Sequence, residues 1–173
     1  IAEHEQRADH TEFAPFLVVA PTSVVGNWAQ EAARFVPGAK VVTITESTSK
    51  SGKSIAELVQ GAHLVLTSYA LFRLDEDGYT EFGNHVPENA EKSTSPHAGW
   101  GALILDEAQF VKNTKTRAWK VARTLNAQVK LAITGTPMEN NLMELWALLA
   151  IVADGLFPSA RAFRDLYARP AES

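Results

Sequence analysis

Two adjacent carboxylates closing an apolar run are the residues best placed to do chemistry in this chain: Leu103-Ile104-Leu105-Asp106-Glu107-Ala108-Gln109. A buried strand ending in such a pair sets both side chains at the carboxyl edge of a parallel sheet, the edge where α/β proteins bind ligands. In a nucleotide hydrolase the aspartate of the pair holds magnesium, usually through water, and the glutamate polarises the attacking water. An acidic strand end that only caps the next segment has the same sequence, so the string alone leaves both readings open. A second run, Leu131-Ala132-Ile133-Thr134-Gly135-Thr136-Pro137, leaves its strand through a hydroxyl-glycine-hydroxyl turn. Thr134 and Thr136 can bond the carboxylates or a phosphate, and Gly135 lets backbone pass close by; an ordinary strand exit is the alternative.

These residues need a scaffold, and strand-length apolar runs recur along the chain. They are Phe16–Ala20, Val41–Ile44, Leu64–Thr67, Ala102–Leu105 and Leu131–Thr134, continuous rather than alternating, as in strands buried on both faces. Helical patterns separate them at Val24–Phe35, Ser54–Gln60, Thr116–Leu125 and Leu142–Val152, and a last one spans Ser159–Tyr167. Alternating strands and helices predict an α/β fold with a mainly parallel sheet. Ser23 is a candidate cap for the first helix, Ser54 and Glu57 have capping-box spacing, and Asn113 or Thr114 can cap the helix holding Trp119. Trp28, Trp119 and Trp146 lie on helical stretches beside apolar neighbours and read as core. The polar stretch Asp75–Gly99 reads as a surface loop insertion.

Bulk properties agree with one domain. The chain has 173 residues, 46% hydrophobic and 21% charged, a soluble globular composition. No apolar run approaches a membrane span, and the first residues do not form a basic-then-apolar leader, so a cytoplasmic, nucleoid or nuclear location is expected without membrane partners. With no cysteine and five histidines outside any HxxxH or HExxH spacing, a structural metal site is not expected. The net charge of −4 argues against a large phosphate-binding surface.

Taken together, the motifs carry a family resemblance. Asp106-Glu107-Ala108-Gln109, Val111-Lys112-Asn113, Thr134-Gly135-Thr136-Pro137 with Met138-Glu139-Asn140, and Glu144-Leu145-Trp146 resemble motifs II and III of the Swi/Snf branch of helicase superfamily two. Upstream, Ala20-Pro21-Thr22-Ser23 with Asn27-Trp28 and Glu31 looks like motif Ia, and Leu66-Thr67-Ser68-Tyr69 like motif Ib. A DEAD-box RNA helicase lobe also carries a DE pair, but the DEAQ, VKN, TGTP and ELW blocks point to the DNA-translocating branch.

The resemblance implies the first RecA-like lobe, a three-layer P-loop NTPase sandwich, of an ATP-dependent translocase that moves on double-stranded DNA and remodels bound proteins. It implies Asp106 as the magnesium-side carboxylate, acting through water, and Glu107 as the general base. Gln109, Thr134 and Thr136 would complete the nucleotide side of the site. Pro21, Thr22, Ser23, Thr67, Ser68, Tyr69 and Lys112 would lie near DNA phosphates, where hydroxyls and N–H groups bond backbone without reading bases. The cofactors implied are ATP and Mg2+, and the partners are DNA, a second RecA-like lobe of the same parent and DNA-bound proteins. A non-hydrolysing binding module on the same fold is the competing reading.

ATP chemistry in this family also needs a P-loop. Ser51-Gly52-Lys53-Ser54 invites that reading, but GxxxxGKS requires a glycine where Ser47 stands, so the phosphate wrap is not available there. The resemblance therefore leads us to expect that residues 1–173 form a partial lobe, with Ile1–Arg7 ending the helix after the P-loop and His10–Pro15 connecting onward. The sheet is expected to lack the P-loop strand, and this chain alone to be inactive, with no tightly bound cofactor.

Overall fold

A computed structural model describes residues 14–85, 99–136, 142–157 and 159–168. The expected helix end at 1–7 and the block 137–140 lie outside the described residues. Five strands, β1 (Phe16–Ala20), β2 (Val41–Thr43), β3 (Leu64–Ser68), β4 (Trp100–Asp106) and β5 (Ala127–Ile133), form one sheet in the order β2-β3-β1-β4-β5. Every pairing is parallel. Each of the five strands lies where an apolar run predicts one, with ends shifted by up to four residues.

In register, Val18 lies beside Leu66 and Ile104, and Ile104 beside Leu131, so these side chains share a face. Helix α1 (Thr22–Phe35) packs on that face over β1, β2 and β3. The opposite face carries Leu17, Val19, Val65, Leu103 and Leu105, all fully buried. They join the main core with Tyr69 and Phe72 from α4 (Tyr69–Leu74), Trp119 and Ala122 from α6 (Arg117–Thr124), and Trp146 and Ile151 from α7 (Leu142–Val152). The result is a three-layer sandwich, with β5 at one edge of the sheet.

Capping departs from expectation at two helices. Pro21, not Ser23, occupies the N-cap of α1, and no side chain caps it. Thr116 rather than Asn113 or Thr114 caps α6, accepting from the Trp119 N–H. Ser54 and Glu57 do form a reciprocal capping box at α3 (Ile55–Leu58).

The SGKS segment joins the short helix α2 (Thr48–Ser51) to α3, rather than a strand to a helix. Gly52 closes α2 with φ 70°, and the Ser54 hydroxyl is taken up by Glu57. Nothing in that geometry forms a phosphate cradle.

The stretch 75–99 is not a loop throughout. Helix α5 (Glu76–Asn84) opens it, with Tyr79 fully buried against Phe72 and Trp100. Its two glycines sit where neighbours press closest: a Cβ on Gly78 would lie 2.8 Å from the Ile55 side chain, and one on Gly83 3.0 Å from the Asn126 carbonyl oxygen. Gly99, with φ 89°, returns the chain against the Gly83 backbone. A short helix, α8 (Ala160–Phe163), runs into a π-helical turn, Arg164–Ala168, in place of one longer helix.

Candidate active site at the carboxyl edge of the sheet

Strand β4 delivers Asp106 and Glu107 to the carboxyl edge, and the chain turns there within one residue. Glu107 has φ 49° and ψ 53°, and is the one non-glycine residue at positive φ among those described. A left-handed conformation costs a side-chain-bearing residue about 1–3 kcal/mol and persists where surrounding contacts enforce it. Here they do. The Glu107 N–H donates to Asp106 Oδ1 at 2.9 Å, and Glu107 Oε2 accepts from Gln109 Nε2 at 2.7 Å.

Gln109 lies in the 3-10 turn Ala108–Val111, whose Ala108 and Val111 are fully buried and anchor it. Its amide oxygen accepts from Thr134 Oγ1 at 2.8 Å, and Thr134 Oγ1 accepts from the Thr136 N–H at 3.1 Å. One continuous path of hydrogen bonds therefore runs Glu107–Gln109–Thr134–Thr136. It joins the acidic strand end of β4 to the hydroxyl turn after β5.

Asp106 is held from three directions. Its Oδ1 takes the Glu107 N–H, its Oδ2 accepts from Trp28 Nε1 at 2.8 Å, and its backbone oxygen accepts from the Tyr69 hydroxyl at 2.7 Å. Tyr69 also stacks on Phe110, with centroids 5.2 Å apart and rings 6° from parallel. Burial first, then the negative charges of Asp106 and Glu107, push the Tyr69 phenol well above its ordinary range. It remains a protonated donor.

Several residues expected near DNA phosphates have partners within the lobe. Thr67 is fully buried and its hydroxyl accepts from Tyr79; Ser68 is buried and accepts from the Leu71 N–H as the cap of α4; Tyr69 supports Asp106. Lys112 pairs with Glu144 of α7 at 3.5 Å, which ties the turn after the acidic pair to the ELW block. Pro21, Thr22 and Ser23 lie at the N-terminal end of α1, with Thr22 and Ser23 exposed. Trp119 and Trp146 are core, as expected, with centroids 6.2 Å apart. Trp28 is different. It reaches the reactive edge, a role that helical periodicity does not reveal because Asp106 is 78 residues away in sequence.

A parallel sheet covered by helices, with two carboxylates and linked hydroxyls at its carboxyl edge, has the architecture of a nucleotide-hydrolase lobe of RecA type. The SNF2-related domain model matches residues 1–173, and the chain belongs to that family. It is 35% identical over its whole length to the chromatin-remodeling ATPase INO80 of Pyricularia oryzae, and 33% identical over 95% of its length to that of Schizosaccharomyces pombe. These matches take in 8% and 10% of the respective relatives. Among solved structures, the Sulfolobus solfataricus SWI2/SNF2 ATPase core in complex with dsDNA superposes with a TM-score of 0.69 at 27% identity. That match covers 99% of this chain and 31% of the other. The same core domain in a second structure gives 0.64.

Proposed function

We propose that this chain is the hydrolytic part of the first lobe of a DNA-dependent ATPase, in which ATP turnover drives movement on double-stranded DNA. The observation that carries the reading is the Glu107–Gln109–Thr134 link: a carboxylate held off its strand in an unusual backbone conformation and wired to a second strand end. Family membership and the superposition on a DNA-bound ATPase core support it.

In this reading Glu107 orients water for attack on the terminal phosphate and accepts its proton. Gln109 keeps the carboxylate aimed, and the Thr134–Thr136 turn senses whether the phosphate is present. The donor set suits magnesium: Asp106 and Glu107 stand side by side at the end of β4, and this ion commonly takes one or two carboxylates, with water and substrate phosphates completing its shell. Asp106 would hold it through water, and the ion would neutralise charge building on the phosphates. Pro21, Thr22 and Ser23 would meet the DNA backbone, where hydroxyl and N–H groups bond phosphates without reading bases. The P-loop and the second lobe would come from the rest of the parent protein.

The test is Glu107→Gln in a two-lobed parent protein. DNA-stimulated ATP turnover is expected to fall at least 100-fold, general-base catalysis being worth about 10²–10⁴, while ATP still binds. Turnover near the parental rate would remove Glu107 from this role and favour a non-hydrolysing module.

A further inference from the structure

The contact between Trp28 and Asp106 belongs to neither the core nor the hydrolytic relay. Trp28 lies on α1, partly buried, and its indole N–H meets Asp106 Oδ2 at 2.8 Å across the gap between α1 and the end of β4. The other carboxylate oxygen is held by the Glu107 N–H at 2.9 Å. Each oxygen thus has one fixed donor. A carboxylate oxygen has about two acceptor sites, so each keeps a second site open. The carboxylate plane is thereby set by two donors from different elements, one of them a rigid bicyclic ring. An indole N–H only donates and does not titrate in the working pH range, so the restraint holds irrespective of pH.

From this arrangement we infer that Trp28 is a positioning residue for the divalent-cation site: it fixes the rotation of the Asp106 carboxylate so that the open acceptor sites face the water shell of the ion. The inference rests on the reading of Asp106 as the metal-side carboxylate. Partners that orient a ligating group typically carry a 10–100-fold effect on metal affinity. Trp28 also gives α1 a hold on that carboxylate. The same helix begins six residues earlier at Thr22, so its proposed DNA-facing end and the side chain that holds Asp106 belong to one helix.

The two-lobed parent protein with Trp28→Phe keeps an aromatic ring but loses the N–H. A second variant, with the sulfur isostere benzothienylalanine at position 28, keeps the bicyclic shape and removes the donor alone. Mn2+ binding in the presence of ADP, read by electron paramagnetic resonance, is expected to weaken about tenfold in both. The Mg2+ concentration for half-maximal ATP turnover should rise in parallel, while excess Mg2+ restores most of the rate and KM for ATP at saturating Mg2+ stays near parental. Mn2+ affinity within twofold of parental in the isostere variant overturns the inference, and packing alone then explains Trp28. Asp106→Asn separates the two levels. If it abolishes Mn2+ binding while the isostere variant does not weaken it, only the role of Trp28 fails; if it leaves Mn2+ binding intact, the assignment of Asp106 fails and this inference with it.

Discussion

Tyr69 shows how a single hydroxyl can hold a site residue through its backbone. It donates to the Asp106 backbone oxygen from inside the lobe, and its ring stacks on Phe110. Tyr69→Phe retains the stacking and removes one hydrogen bond. A loss of about 1 kcal/mol in urea-unfolding free energy is expected. The alkaline limb provides a second reading. Tyr69 and Tyr79 both have phenol pKa values raised in the fold, in each case chiefly by burial. Above roughly pH 10 the unfolded tyrosines ionise while the folded ones stay protonated. The folded state then binds more protons, and stability falls as pH rises, by up to about 1.4 kcal/mol per pH unit for each tyrosine. Urea midpoints measured between pH 9 and 11 should show that decline, and Tyr69→Phe should make it shallower. An unchanged slope would place the Tyr69 phenol in a solvated environment.

At the scale of elements, strands were the most legible part of the chain, because burial on both faces forces continuous apolar runs such as Phe16–Ala20. Helix α7 matches its apolar pattern residue for residue. Helix α5 was hidden by its own glycines. Gly78 and Gly83 each disfavour a helix by about 1 kcal/mol relative to alanine, yet both are required where Ile55, Trp100 and Asn126 press against the helix. Tertiary packing outweighs propensity there, and the spacing of Tyr79 and Phe82 was the signal available. The acidic pair and the hydroxyl turn were readable as motifs. The Trp28–Asp106 and Tyr69–Asp106 bonds were not, because they join elements that only the topology brings together. Gly99 tests the packing of α5. Its φ of 89° and the Gly83 backbone facing it leave no room for a Cβ, so Gly99→Ala should cost about 1–3 kcal/mol. Urea unfolding measures it, and a change below 0.5 kcal/mol, roughly the scatter of inert surface substitutions, would show that α5 is loosely docked.

For the molecule as a whole, the coverage of the sheet is lopsided. Helix α1 shields β1, β2 and β3 on one face, whereas Val129, Leu131 and Ile133 of β5 on that face are 51%, 49% and 47% exposed. The β5 edge also has no further strand paired to it among the described residues. An apolar edge strand offers unpaired N–H and carbonyl groups and invites pairing with another chain. Its other face is well tied down: Lys130 Nζ donates to the Ala122 and Arg123 carbonyl oxygens at 3.0 and 2.6 Å, fastening β5 to the end of α6. Among the described residues the strand is therefore held in place while its outer edge and one face stay open, the arrangement that favours ordered addition over fraying. These 173 residues on their own should self-associate as concentration rises, and light scattering should report a mass above that of one chain. Leu131→Lys places a charge on the open face without disturbing the Lys130 anchor, and it should shift the population toward monomer. The same chain alone should hydrolyse ATP negligibly, since it holds no GxxxxGKS or GxxxxGKT segment to grip the phosphates. A stable monomer at high concentration would mean that the β5 face is covered within the chain, and a turnover rate like that of a two-lobed enzyme would mean that the phosphates are gripped by groups other than a P-loop.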